Sequence, residues 1–141
     1  VGGWWEGGGR VVGGWWAGEG RAATFGLGHG AGGAGNAQAE ACARRELREE
    51  TGLYGGQLDY LSTIHTTPGF TDEVIHLYVA LYLESGTPSP EANEFIEVHE
   101  FPLDFLLDLI DGGEVSDAKT ICALMLAARW LERRRDVEQS Q

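Results

Sequence analysis

Residues 74–84 read VIHLYVALYLE, and this run does most to limit what the chain can fold into. Ile75, Leu77, Val79, Leu81 and Leu83 form an unbroken aliphatic face at the two-residue spacing of a β-strand. The other face, His76, Tyr78, Ala80 and Tyr82, is not a solvated one either. Such a strand is buried on one side and covered on the other. The chain supplies helices to do both. AQAEACARRELREET, from Ala37, is rich in strong helix formers and stops at Gly52, a suitable residue just past a helix end. LDFLLDLI at 103–110 reads as a short amphipathic helix closed by Asp-Gly-Gly. Ser116 is placed to cap a last helix to about Asp136, with Ile121, Leu124, Met125, Ala128 and Leu131 along one stripe. Arg133, Arg134 and Arg135 then fall at its C-terminal end, where positive charge complements the helix dipole. Further strands are expected at 57–67 and within EFIEVHEF at 94–101. Elements mixed in this order give an α+β fold with a largely mixed sheet.

Before Ala37 the chain has another character. The first 36 residues hold 15 of the 22 glycines and four of the five tryptophans, and VGGWWEGGGR at Val1 recurs as VGGWWAGEGR at Val12. Two copies fall short of the about three units a solenoid needs. Tryptophan pairs flanked by glycine also lack a rigid element to present them for stacking on sugars or bases. The expected division is therefore residues 1–36, a glycine/tryptophan-rich stretch of low order or of doubtful authenticity, and residues 37–141, the folded domain. A shifted reading frame in GC-rich DNA yields strings of this kind.

The net charge of −12, with Lys119 the single lysine, argues against a nucleic-acid surface, which needs clustered basic residues. No run approaches the roughly 18 apolar residues of a membrane span, and no basic-then-apolar leader is seen. Cys42 and Cys122 sit within helical patterns and read as buried free thiols, which suits the reducing cytoplasm. His29, His65, His76 and His99 show no ligand-pair spacing, so zinc is not expected. An acidic protein can still receive a phosphorylated small molecule where metal ions supply the positive charge.

RRELREETGL at 44–53 bears on that exception, because five of the six residues from Arg45 to Glu50 are charged. On a helix, Glu46 and Glu50 are i, i+4 neighbours and Glu49 lies three residues after Glu46, so the three carboxylates share one side. Arg45 is placed to pair with Glu49, while Arg48 points more to the side. A solvated helix face is one reading of such a run. The other is a cation site, since clustered carboxylates repel unless a cation lies among them. Oxygen-only ligands suit Mg²⁺ or Mn²⁺.

The same segment resembles the Nudix box, whose core is Arg-Glu-apolar-x-Glu-Glu-x-Gly-apolar. Arg45, Glu46, Leu47, Glu49, Glu50, Gly52 and Leu53 match it at every fixed position. Upstream, Ala37 and Ala31 stand where the family pattern has a glutamate and a glycine. The resemblance implies a Nudix-like α/β/α sandwich and Mg²⁺-dependent hydrolysis of a nucleoside diphosphate linked to another moiety. By it, Glu46 and Glu50 are the principal metal ligands, and Glu49 either ligates too or is held by Arg45. TTPGFTDE at 66–73 has Pro68 15 residues after Leu53 and is similar to the ADP-ribose pyrophosphatase branch, although Pro68 and Gly69 would make a turn in any case. This implies substrate contacts from Pro68, Gly69, Phe70, Thr71 and Glu73, with Glu73 also open to a metal contact. EANEFIEV resembles the family's loop carrying the general base, which points first to Glu94 and then to Glu91. The same branch implies a homodimer. Hydrolysis of another nucleoside diphosphate sugar, and a weakly catalytic domain that binds ADP-ribose-like ligands as a regulator, remain as alternatives.

Overall fold

Residues 74–81 of the run at 74–84 form a strand one in from the edge of a five-stranded sheet. The computed structural model describes residues 11–17, 20–28, 37–86 and 100–141, with side chains for 37–49, 51–84, 86 and 101–141. In chain order the elements are β1 (Val11–Ala17), β2 (Gly20–Gly28), α1 (Ala37–Thr51), β3 (Leu53–Tyr54), β4 (Gln57–His65), β5 (Val74–Leu81), β6 (Glu84–Ser85), β7 (Glu100–Phe101), α2 (Leu103–Asp111) and α3 (Ala118–Gln139). The main sheet is ordered β4-β5-β2-β1-β7, and β3 pairs with β6 in a separate two-stranded sheet. β1 and β7 run parallel, whereas the β1–β2, β2–β5 and β4–β5 pairs are antiparallel. The sheet is therefore mixed, as the order of elements suggests.

Both faces of β5 are covered. Val79 and Leu81 pack with Leu106 and Leu109 of α2, Val115, and Leu124 and Ala127 of α3, while Ile75 and Leu77 meet Ala123. Tyr78 and Ala80 turn the other way, onto Ala43 and Leu47 of α1. The layers are thus α1, sheet, and α2 with α3, an α/β/α sandwich of the α+β class.

Several local expectations change. β5 ends at Leu81, and Tyr82, more than half exposed, has φ 57°. One bulky residue in the left-handed region breaks the two-residue period. Leu83 therefore joins Leu53 and Leu47 on the α1 side, not the aliphatic face with Ile75. The cap of α3 is Asp117, whose side chain accepts from the Thr120 backbone N–H, and not Ser116. The residues α3 buries are Thr120, Ala123, Leu124 and Ala127, with Met125 46% exposed. Small side chains let this helix lie close to the sheet, and its larger apolar residues flank the contact. Because α3 continues to Gln139, Arg133–Arg135 lie before its last turn, which has no basic residue. Arg134 instead bonds Glu138 at 3.2 Å and Gln57 Oε1 at 3.4 Å, over the rings of Trp130 and Tyr82. Both cysteines are free and half-buried.

The main sheet also draws on chain from before Ala37, since β2 pairs with β5 from Ala22↔Leu81 to Gly28↔Ile75. Of EFIEVHEF, residues 100–101 form β7, and 94–99 lie outside the described residues. Among the described residues no helix is long and apolar enough to cross a membrane.

Candidate active site

α1 carries the charged run, and its C-terminal end is closed in three ways. Gly52 adopts φ 74° and donates its N–H to Arg48 O at 2.9 Å, the left-handed termination glycine allows at no steric cost. Thr51, buried, donates its hydroxyl to Leu47 O at 2.6 Å and accepts from Leu53 N at 3.0 Å. Gly86 N donates to Gly52 O at 2.8 Å, which ties the start of β3 to the end of β6. Helix end and strand start are thereby fixed together, and the residues just before them are held in register with the sheet.

On this support Leu47 is buried against Ala80 and Leu83, and the neighbouring Glu46 is 8% exposed. Glu49 stays half-exposed. Arg45 lies between the two acids, with Nη2 3.9 Å from Glu46 Oε1 and Nε 3.9 Å from Glu49 Oε1. Arg45 is thus shared, whereas its spacing alone suggested Glu49. At these distances it makes ion pairs without hydrogen bonds, and its own side chain is 63% exposed, so it neutralises neither acid strongly. Cys42 Sγ lies 3.6 Å from Arg45 Nη2 and 3.9 Å from Glu46 Oε1. Glu50 stands one turn beyond Glu46 on the same helix, with its side chain outside the described set.

Oxygen donors are thus present on one side of α1, one of them buried. Among the described side chains no group of three or more His, Cys, Asp or Glu is placed to share an ion. Glu46 and Glu49 are two such donors, and a third from Glu50 would extend the set in the chemistry that hard divalent cations take.

The segment 66–73 folds as the tight end of the β4–β5 hairpin. Phe70 N and Thr71 N each donate to Thr67 O at 2.9 Å, and Thr66 Oγ1 donates to Glu73 Oε1 at 2.7 Å. The Glu73 carboxylate therefore closes the loop across its base. Phe70 at the tip is 91% exposed. A side chain at Gly69 would meet nothing within 4 Å, so packing does not explain the glycine there. This turn follows the His65↔Val74 pair, whereas Leu47 packs on Ala80 near the Gln57↔Leu81 end. The six residues between correspond to roughly 20 Å of strand. The structure thus brings Arg45, Glu46 and Glu49 together and sets Pro68, Gly69, Phe70, Thr71 and Glu73 well apart from them. Glu91 and Glu94 lie outside the described residues.

Two features escaped sequence patterning. A cleft of about 540 Å³ adjoins α1, bordered by Arg44, Arg48, Tyr54 and Leu58 as well as Arg45 and Glu49. On the same face of the sheet, His76 is 5% exposed, its Nδ1 2.8 Å from Thr63 Oγ1, which is 2.7 Å from Tyr60 Oη. His76 Nε2 has no hydrogen-bond partner among the described residues. The alternation of 74–84 puts His76 on the face with Tyr78. Only the Thr63↔His76 register supplies its partner.

A family model for the NUDIX domain matches residues 14–124. The chain belongs to the NUDIX family. Its Nudix domain is 40% identical over 84 residues to the methanol dehydrogenase activator of Bacillus methanolicus, covering 58% of this chain and 45% of that protein. It is 40% identical over 87 residues to the ADP-ribose pyrophosphatase of Bacillus subtilis (strain 168), covering 60% and 47% respectively. With the GDP-mannose pyrophosphatase of Citrobacter koseri it shares 38% over 92 residues, 63% of this chain and 48% of that one. The chain thus spans about half the length of these relatives. The family match begins within β1, so it includes strands that precede Ala37.

Proposed function

We propose that this Nudix domain hydrolyses the diphosphate of a nucleoside diphosphate derivative, with ADP-ribose the first candidate and AMP and ribose 5-phosphate the products. One observation carries the reading: the run from Arg45 to Leu53 forms the end of helix α1 and its turn into β3, and the helix buries Glu46 beside Glu49, in a chain of the NUDIX family. The donors fit Mg²⁺ or Mn²⁺, which Glu46 and Glu50 would hold with Glu49. When bound, the cation neutralises the diphosphate and makes a water more acidic.

Arg45, 3.9 Å from both Glu46 and Glu49, offsets part of the repulsion between the two carboxylates. Glu94, or Glu91 in its place, takes the proton as water adds to phosphorus in line with the departing phosphate. Pro68, Gly69, Phe70, Thr71 and Glu73 contact the far end of the substrate, where the exposed Phe70 ring is free to stack. Contact at both places asks for a long ligand. A base, a sugar, two phosphates and a second sugar in sequence make one. Homodimer formation and a cytoplasmic location belong to the same reading, and light scattering tests the first.

A nucleotide sugar is the second reading, favoured by the 38% identity to a protein named GDP-mannose pyrophosphatase. Chromatography of products from ADP-ribose and GDP-mannose, each with Mg²⁺, separates the two. Faster AMP release supports ADP-ribose, and faster GMP release supports the nucleotide sugar. Neither product, with ADP-ribose still bound, assigns a regulatory binding domain, a reading the 40% identity to a methanol dehydrogenase activator also motivates.

A further inference from the structure

We infer that Arg44 is a positioning residue: by clamping α1 to the turn at Gly55 and Gly56, it sets the roll of the helix and with it the placement of Glu46. Only the consequence for Glu46 rests on the function proposed above. Ala43 and Leu47, one turn apart, make the stripe by which α1 meets Tyr78, Ala80 and Leu83. At about 100° per residue, Arg44 lies about 60–100° to one side of that stripe, and Glu46 and Cys42 lie to the other. Two apolar residues make a narrower contact than the stripe of about 100° or more by which a surface helix usually docks. Apolar packing therefore leaves the roll of α1 weakly fixed, and any roll lifts or sinks Glu46, which is 8% exposed. The bond from Gly86 N to Gly52 O holds only the C-terminal end of the helix, roughly two turns beyond Arg44.

Arg44 supplies the second fixed point. Its Nη1 donates to Gly55 O at 3.2 Å and to Gly56 O at 3.4 Å, in the turn that joins β3 to β4. Its Nε donates to Glu40 Oε1 at 3.0 Å, one turn back on the same helix. The Glu40 pair cannot fix α1 against the sheet, but it aims the guanidinium at the two carbonyls. An arginine fork performs both tasks at once, and a lysine ammonium does not. The anchor is itself rigid. Gly55 and Gly56 have φ of 72° and 64°, and a Cβ at Gly56 would collide with Leu81 O. The turn is thus pressed against the end of β5, the strand that carries Tyr78 and Ala80 beneath α1. From the opposite layer, Arg134 of α3 donates to Oε1 of the next residue, Gln57, at 3.4 Å.

The roll can be read without metal or substrate through Cys42, half-buried on the Glu46 side of α1. In a Cys122→Ser background Cys42 is the single thiol, and its rate of reaction with a disulfide reagent in excess chelator reports how well α1 stays closed over it. Arg44→Ala is expected to raise that rate about fivefold or more, the loss of hydrogen bonds from a charged donor. Removing a positive charge would by itself disfavour thiolate and slow the reaction, so a rise reads exposure. Arg44→Lys should fall between Arg44→Ala and wild type. Mn²⁺ binding without substrate, followed by calorimetry, should weaken about tenfold in Arg44→Ala, as when a metal ligand loses its support. Arg134→Ala removes the same charge and frees the neighbouring Gln57, yet should leave both readings within about twofold of wild type. The Arg44 side chain is 40% exposed, so its loss opens no core cavity, and thermal melts verify that each variant is folded. A Cys42 rate in folded Arg44→Ala within about twofold of wild type overturns the assignment, whatever the metal does. So does an equal rise in Arg134→Ala, which would make the effect a general loosening. A faster Cys42 in Arg44→Ala, with no Mn²⁺ bound even by the wild type, supports the clamp and removes the metal reading of Glu46 instead.

Discussion

Replacing Asp117 by alanine removes three hydrogen bonds at one point. Its Oδ2 accepts from the Thr120 backbone N–H and from the Thr120 hydroxyl, both at 2.8 Å, and its Oδ1 accepts from Lys119 Nζ at 3.0 Å. Loss of an N-cap costs about 0.5–2 kcal/mol. Thr120 is 2% exposed, and a buried hydroxyl left without its acceptor adds about 1–3 kcal/mol. The Lys119 pair, itself partly exposed, contributes less than about 1 kcal/mol. Because these terms overlap, the expected loss is about 2–4 kcal/mol near neutral pH. With a urea m-value of about 2 kcal/mol/M, the unfolding midpoint falls by about 1–2 M.

Acid supplies a second check. Burial alone would raise the Asp117 pKa, but the bonds from the Thr120 N–H, Lys119 and the Thr120 hydroxyl hold its carboxyl below the usual range. A group depressed in the folded state stabilises above its unfolded pKa, about 3.9, and loses that contribution as pH falls through the folded value. The gap between wild type and Asp117→Ala should therefore be full near pH 7 and narrow below about pH 4. Ser116→Ala, which alters the neighbouring residue, should stay within about 0.5 kcal/mol of wild type. A Ser116→Ala loss equal to that of Asp117→Ala, or a gap that does not narrow in acid, would refute this account of the helix start.

Other outcomes follow from the packing. Leu47→Ala removes a side chain 3% exposed from between α1 and the sheet and should cost about 2–5 kcal/mol in denaturant titration, with slower AMP release because it seats Glu46. Gly56→Ala places a Cβ 2.1 Å from Leu81 O at φ +64°, so it should destabilise by more than about 1 kcal/mol; a melt at the wild-type temperature contradicts that. Phe70→Ala, at a 91% exposed ring, should leave stability within about 0.5 kcal/mol while raising KM for the nucleoside diphosphate. An unchanged KM would remove the turn from the substrate site.

How much of this was legible in the sequence depends on whether the deciding physics is local. Helix α1 and its stop at Gly52 follow from propensity and one glycine, so its range 37–51 was readable, as was the two-sided burial of residues 74–81. Leu83 was not, because a single left-handed residue at Tyr82 resets the alternation, and nothing in the pattern marks a tyrosine for positive φ. The start of α3 turned on which of two adjacent capping residues reaches Thr120 N, a one-residue difference that propensity does not resolve. The buried stripe of α3 was misjudged because size suggested Met125, whereas close approach to the sheet selects Ala123 and Ala127. At the candidate site, spacing put Glu46 and Glu49 on one side of a helix. It could not give the sharing of Arg45 between them, the distance to the 66–73 turn, or the cleft at Arg48 and Tyr54, all of which depend on how β4 lies against α1.

The central claim is that the carboxylates of α1 serve a metal-dependent hydrolysis, and Glu50→Gln tests it most directly. The measurement is the rate of AMP release from ADP-ribose with Mg²⁺, for wild type and for Glu50→Gln of equal thermal stability. Loss of a direct ligand should exceed the roughly 10- to 100-fold cost of disturbing a metal's outer shell. The account predicts AMP release by the wild type and a fall of at least about 100-fold in the variant. Release by Glu50→Gln within about threefold of wild type would contradict it.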